Sequence, residues 1–305
     1  KRTSPRSFNA STLEEVGKRD DDELIFVEPA KTTQHLLLFT NLGNAIYRPI
    51  HELTDTKWKD IGEHLSQTLT NFEQEEEILF AEIVDQFEGV IYFAATQQGQ
   101  IKRFERKELS PWRTYRSKST KYAKLKDQDD RIVAVAPVVL EDIMIITKNG
   151  YGLRFNIEEV PVVGAKAAGV KAINLKDGDQ VAAAFKSTTP SMYILTQRGS
   201  LKRMLQDDIP VTSRAKRGLQ VLRELKNKPH RVFKAGPVFT DQGDFDLFTS
   251  QEEVAEQDQI LQITSTTGQV TEVDLTQLSI SERTSNGSFV NDTISDQEVF
   301  SATIK

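Results

Sequence analysis

Met192-Tyr193-Ile194-Leu195-Thr196-Gln197-Arg198-Gly199, running on into Leu201-Lys202-Arg203, is one of five copies of a single phrase. Leu36 to Gly43 (LLLFTNLG), Ile91 to Gly99 (IYFAATQQG, continuing to Ile101-Lys102-Arg103) and Ile143 to Gly150 (IMIITKNG, continuing to Leu153-Arg154-Phe155) repeat it. Ile260 to Gly268 (ILQITSTTG) is a weaker copy, with Ser265 in the Thr position and Val270-Thr271-Glu272 where the others carry bases. A run of β-branched and aromatic residues predicts a strand buried on both faces. Thr-x-x-Gly then predicts a tight turn whose Gly sits at positive φ, so each phrase reads as a β-hairpin. After the Gly, side chains alternate between faces, so Lys102 and Arg103, or Lys202 and Arg203, point to opposite sides of the sheet.

Each hairpin is followed by a second recurring half: a small or polar loop, an alternating strand, an acidic turn and a short apolar strand. Ala167 to Val181 (AAGVKAINLKDGDQV) is the clearest copy, and related stretches run through Ser11 to Ile25, Ile61 to Ile78, Ser119 to Val133, Lys216 to Val232 and Ser285 to Val299. Six second halves stand against five hairpins. Lys1-Arg2-Thr3 matches a hairpin tail, so the chain reads as a fragment cut inside the first of six repeats. Gly43, Gly99, Gly150, Gly199 and Gly268 are 56, 51, 49 and 69 residues apart, spacing that suits four strands per unit in a blade architecture. The expectation is one all-β domain over residues 1–305, with hairpins at 36–53, 91–109, 142–160, 192–209 and 260–278 and a hairpin tail at 1–8. Only Asp55 to His64 and Gln251 to Gln257 suggest short helical turns.

Zero Cys excludes disulfides and thiolate chemistry and fits a reducing cytoplasm. No apolar run of 18 residues or signal peptide supports membrane insertion or secretion. The net charge of −6 conceals a segregation. Gln100 to Lys126 carries ten bases against two acids, Arg198 to Lys234 eleven against three, and Asp241 to Lys305 two against thirteen. A local positive field of this kind steers a polyanion whatever the average charge. The plainer alternative is that edge strands carry Lys to deter aggregation.

A search for chemistry along the chain returns binding features and no catalytic constellation. Asp20 to Glu23 and Glu73 to Glu77 read as solvated acidic turns, without the spacing of a calcium loop. His51 and His64 lack metal-pair spacing. Gly150-x-Gly152 lacks the third Gly of a dinucleotide fingerprint, and no P-loop, G-x-S-x-G elbow or H-E-x-x-H is present. Asn9, Asn286 and Asn291 begin glycosylation triplets by chance. Ser110 to Lys124 interleaves bases, aromatics and hydroxyls on one connection, a composition suited to phosphate. Trp112 within it reads as an anchor for the loop in preference to an exposed wedge. Val160 to Asn174, rich in small residues, reads as a backbone anion nest bearing Lys166 and Lys171.

The T-x-x-G-x-[LIV]-[KR]-R hairpin with its G-V-K-A-I-N-L-K-D-G-D-Q-V second half resembles the C-terminal domain of bacterial type II topoisomerase A subunits, found in DNA gyrase and topoisomerase IV. The resemblance covers essentially all of the chain. It implies a six-bladed β-pinwheel, a propeller-like ring whose blades exchange strands. The gyrase box Gln-Arg-Arg-Gly-Gly-Lys-Gly is absent, and Asn9 to Gly17 stands in its place. The chain is therefore similar to the topoisomerase IV branch, and Tyr151 to Asn156 and Lys226 to Arg231 look most like Gram-positive versions. The resemblance implies no cofactor here, with ATP and Mg on parts of the enzyme outside the chain, and a catalytic Tyr likewise outside it. The partners it implies are duplex DNA, the N-terminal catalytic domain and the ATPase subunit. It further implies a cytoplasmic, nucleoid-associated location without a membrane.

The expected role is non-sequence-specific gripping and bending of duplex DNA, presenting a transport segment to the catalytic core for decatenation and relaxation. The candidate DNA-binding residues are Arg48, Lys102, Arg103, Arg113, Arg116, Lys118, Lys121, Lys124, Arg154, Lys166, Lys171, Lys202, Arg203, Arg214, Lys216, Arg217 and Arg231. The alternative is an interaction module whose basic arc docks an acidic protein.

Overall fold

In a computed structural model, residues 1–4, 12, 15–20, 22–176, 178–239, 259–290 and 298–305 are described. They fall into two compact units: residues 1–94, 103–137 and 162–169 form one, and 95–102, 138–161 and 170–305 the other. The second repeat supplies β1 (His35–Thr40), β2 (Asn44–Pro49) and β3 (Ile78–Val84). The third supplies β4 (Ile91–Thr96), β5 (Gln100–Glu105), β6 (Thr120–Lys121) and β7 (Ile132–Val138). The fourth holds β8 (Asp142–Thr147), β9 (Tyr151–Asn156), β10 (Val170–Lys171) and β11 (Val181–Lys186). In the fifth are β12 (Ser191–Thr196), β13 (Ser200–Leu205), β14 (Leu219–Gln220) and β15 (Val232–Val238), and in the sixth β16 (Ile260–Ser265), β17 (Val270–Asp274), β18 (Ser288–Phe289) and β19 (Val299–Ile304).

The Thr-x-x-Gly turn closes through its hydroxyl. Thr40, Thr96, Thr147 and Thr196 each accept the N–H of the residue after Gly at 3.1–3.3 Å, and Ser265 does so at 3.2 Å. Gly199 takes φ +80°, as the turn demands of a residue without Cβ. The acidic turn is tied to the same place. Glu76 is buried and accepts from Thr40 Oγ1 and Asn44 Nδ2, both at 2.6 Å, so this part of Glu73 to Glu77 is a cap and not a solvated turn. Asp179 caps Asn149 N at 3.0 Å, and in the fifth repeat His230 Nδ1 meets Thr196 Oγ1 at 3.0 Å.

The sheets are ordered β3-β1-β2-β6, β10-β5-β4-β7, β11-β8-β9-β14, β15-β12-β13-β18 and β17-β16-β19. Each two-residue strand thus leaves its own repeat and pairs with the return strand of the hairpin before it: Thr120 with Ala45, Val170 with Ile101, Leu219 with Gly152 and Ser288 with Leu201. This is strand exchange between blades. The expectation of six blades is corrected to five sheets among the described residues. Among the described residues the first repeat contributes an isolated parallel bridge, Arg2 to Asp55, in the series Arg103–Val162, Arg154–Val211 and Arg203–Ile280. Asp55 to His64 forms no helix, whereas short 3-10 turns follow the return strands, as at Ile50–Glu52 and Gln206–Asp208. Gln251 to Gln257 lies outside the described residues. No helix among those described is long and apolar enough to cross a membrane.

The inward faces of the hairpins make the cores. In the first unit Phe39 sits 5.1 Å from Tyr92 and 5.2 Å from Tyr122 between ring centroids, with Phe104 stacked on Tyr92 at 5.3 Å. All four rings are fully buried, each worth about 1.5–3 kcal/mol of transfer free energy. In the second unit, Met144, Ile146, Met192, Ile194 and Met204 form one cluster, and Tyr193, Leu195, Leu261 and Ile263 belong to another. These cores fix the hairpins and take in part of the connections, as at Tyr122 and Val221.

Candidate nucleic-acid interface

The basic pair after each Gly is divided by the pleat, as alternation requires. Lys102 and Lys202 take the inner face at 3% and 2% exposure. Lys202 Nζ donates to the carbonyls of Val221 (2.5 Å), Arg283 (2.6 Å) and Ser285 (2.8 Å). Burial and the nearby Arg283 push the Lys202 ammonium down to about 7. Lys1 repeats the arrangement, donating to Gly17 (3.2 Å), Trp58 (2.5 Å) and Asp60 (2.5 Å) carbonyls. Lys102 and Lys202 thus differ from the other sequence candidates in being buried against the protein.

The arginines are half-buried anchors. Arg203 donates to Ser191 Oγ at 2.8 Å and Thr276 O at 2.7 Å, and Arg154 pairs with Asp207 at 2.8 Å. Arg103 is also half-buried, and its carbonyl accepts Val163 N at 2.9 Å. Arg48 donates to Tyr115 O at 2.8 Å and Thr68 Oγ1 at 3.1 Å, Arg214 to Lys171 O at 2.8 Å, and Arg231 pairs with Glu224 at 3.2 Å. The guanidinium groups of Arg203, Arg154, Arg48, Arg214 and Arg231 are directed at the protein first.

What the molecule displays are the connections. Successive ones lie side by side: Gly17 N donates to Trp58 O at 2.9 Å, Thr70 N to Ser117 O at 2.9 Å, Lys124 N to Ala167 O at 3.5 Å and Asn174 N to Lys216 O at 2.8 Å. Arg223 N then meets Asn286 Oδ1 at 2.8 Å. In the first unit, Lys121, Lys124, Lys126 and Lys166 line one shallow concavity with Leu42, Leu125, Glu73 and Asp127. All four lysines are exposed, as are Arg113, Arg116 and Lys118 on the preceding connection. Arg116 is held by Glu52 at 2.6 Å. In the second unit, Lys171, Lys216 and Arg217 are exposed. The Arg217 guanidinium lies 4.5 Å from the Tyr151 ring centroid and Lys176 Nζ 5.9 Å from it.

One of two residue readings changes. The Val160 to Asn174 loop is no open anion nest, since Val163 N donates to Arg103 O at 2.9 Å, Ala165 N to Glu108 Oε2 at 2.5 Å and Ala172 N to Gly99 O at 2.8 Å. Trp112 donates from Nε1 to Lys118 O at 2.9 Å and packs 6.3 Å from Tyr47, the anchoring role. Lys126 and Lys176 are not among the sequence candidates, although both occupy the Lys of the repeated Leu-Lys-Asp in the second half. Among the described residues no group of three His, Asp or Glu side chains is placed to hold a metal. The place of the gyrase box lies partly outside the described residues, as do Asp21, Asn9 and Asn291.

The profile of the family described as "DNA gyrase C-terminal domain, beta-propeller" matches residues 34–85, 92–138, 141–188 and 191–238. The A subunit of DNA topoisomerase 4 from Streptococcus pyogenes serotype M3 is 67% identical over 304 residues, 99% of this chain and 37% of that protein. The Bacillus subtilis protein of the same name is 42% identical over 235 residues, 76% of this chain and 29% of its own. The chain spans little more than a third, 37%, of the length of the streptococcal relative. A crystal structure of the C-terminal domain of DNA topoisomerase IV matches with TM-score 0.85 and 34% identity, over 100% of this chain and 89% of that one. A DNA gyrase A C-terminal domain matches at TM-score 0.64 and 18% identity over 97% and 93%, a likeness of fold alone.

Proposed function

The chain belongs to the family of C-terminal β-propeller domains of the topoisomerase IV A subunit, and from that premise we propose that it grips duplex DNA by its phosphates and bends it. The bent duplex is a transport segment offered to the catalytic core of the same polypeptide, in an ATP-dependent enzyme that decatenates and relaxes DNA. The observation that carries the reading is the side-by-side packing of the connections with Lys121, Lys124, Lys126 and Lys166 gathered in one concavity. Lys171, Lys216 and Arg217 extend the same chemistry in the second unit.

Bending 20–30 base pairs costs on the order of 1–6 kcal/mol, so several phosphate contacts must act together. Neutralising about six phosphates gives a slope of log K on log salt of roughly −5. Anisotropy titrations of a labelled duplex across salt measure it, and energy transfer between the duplex ends measures the bend. A slope near zero, or binding without bending, would sink the reading. Charge reversal at Lys121, Lys124 and Lys166 should weaken binding about equally on unrelated sequences, because phosphate contacts carry no base information.

A further inference from the structure

We propose that Lys202 is a positioning residue for DNA binding, which never meets DNA but fastens the connection of the fifth repeat to that of the sixth. The inference rests on the DNA-binding reading above. Its geometry stands independently. A lysine ammonium has three donors and no acceptor. Lys202 spends them on Val221 O from one connection and on Arg283 O and Ser285 O from the next. Val221 lies four residues beyond Arg217, in the segment that also carries Lys216 and Arg223. Releasing the clamp frees that segment from its neighbour and disperses its charges.

Lys1 makes the same three-carbonyl clamp, on Gly17 O from one connection and Trp58 O and Asp60 O from the next. The device thus belongs to the repeat and not to one accident of packing. Ile46 and Leu153 fill the equivalent slot in the second and fourth repeats, buried in both. An apolar residue in the slot is therefore compatible with the fold. The charged groups that face Lys202 are Arg283, which disfavours its charge, and Asp208, which favours it. With the ammonium drawn down to about 7 by burial, the clamp loses one of its three donors as pH rises through neutrality.

The test compares the whole domain with Lys202→Met and with Lys202→Leu, which copies Leu153. Binding to a labelled duplex of about 30 base pairs is read against salt and pH. The expected result is an affinity about tenfold lower in both variants at pH 7, with the salt slope shallower by about two or more phosphate contacts at roughly 0.9 each. Wild-type affinity should fall several-fold between pH 6 and 8.5, and the variants should be flat. Global stability has the opposite sign. The Lys202 pKa is lowered from 10.5 to about 7 in the fold, so between these values the unfolded chain holds more protons here and rising pH favours the folded state from this group. Affinity lost with rising pH while thermal stability holds is a signature that a purely structural lysine does not give. A slope change of about one contact would make Lys202 a direct phosphate ligand and overturn the proposal. Variants that bind as wild type would overturn it too. If the wild-type domain itself fails to bind DNA, the functional reading falls and takes this inference with it.

Discussion

Glu52 accepts two hydrogen bonds from Arg116, at 2.6 and 3.0 Å, and one from Tyr115 at 2.8 Å. The guanidinium bonds, with the Tyr115 hydroxyl behind them, pull its carboxyl down from 4.5 to about 2. The shift is a depression, so the stability it contributes is present above about pH 4.5 and is lost as pH falls toward 2. Glu52→Gln should remove that step from an acid-unfolding curve. It should also release Arg116 to solvent and raise DNA affinity about twofold, a small gain because exposed ion pairs are weak. An unchanged or lower affinity would mean that Arg116 serves only the loop. In the core, Phe39→Ala should cost about 3–5 kcal/mol in denaturant unfolding, since the buried rings of Tyr92, Phe104 and Tyr122 close on that site. At this scale the sequence is only half legible. Alternation places Lys202 and Arg203 on opposite faces, but which face is inside depends on where the carbonyls of Val221 and Ser285 arrive. Lys102 escapes a sequence reading for the same reason, while Lys121 and Lys124 are legible because a connection dense in bases has nowhere to bury them.

The hairpins are legible as elements because Thr-x-x-Gly carries its own chemistry, a hydroxyl for one N–H and a Gly for one positive φ. The exchanged strands are not. Two residues have no period to read, and their partners lie in another repeat. The glycines at the exchange show how close that fit is. A Cβ on Gly218, at φ +85°, would stand 2.4 Å from Gly152 O, on the strand that β14 joins. Gly218→Ala should destabilise by about 1–3 kcal/mol through backbone strain alone. It should also raise amide exchange at Val221 selectively, because Val221 N donates to Gly150 O at 2.7 Å. Equal exchange at Val221 in both proteins would show that β14 pairs without help from the glycine. The acidic turns mislead in a related way. Glu76 looks solvated within a run of carboxylates, yet the hydroxyl and amide it caps come from a turn more than thirty residues earlier.

Across the whole molecule the charges are unevenly placed, with bases concentrated in the third to fifth repeats and thirteen acids in residues 241–305. Much of that acidic stretch lies outside the described residues. DNA should therefore engage part of the surface only. Minicircles relaxed in the presence of the domain should show at most a small linking-number shift, and a large fixed shift of one sign would contradict it. The blade class is readable from six second halves in register, but the number of sheets is not: five stand among the described residues. That mismatch between sequence period and sheet has a further consequence. Every four-stranded sheet is written in two successive repeats, so a gene segment cut at the repeat boundary never encodes a whole one.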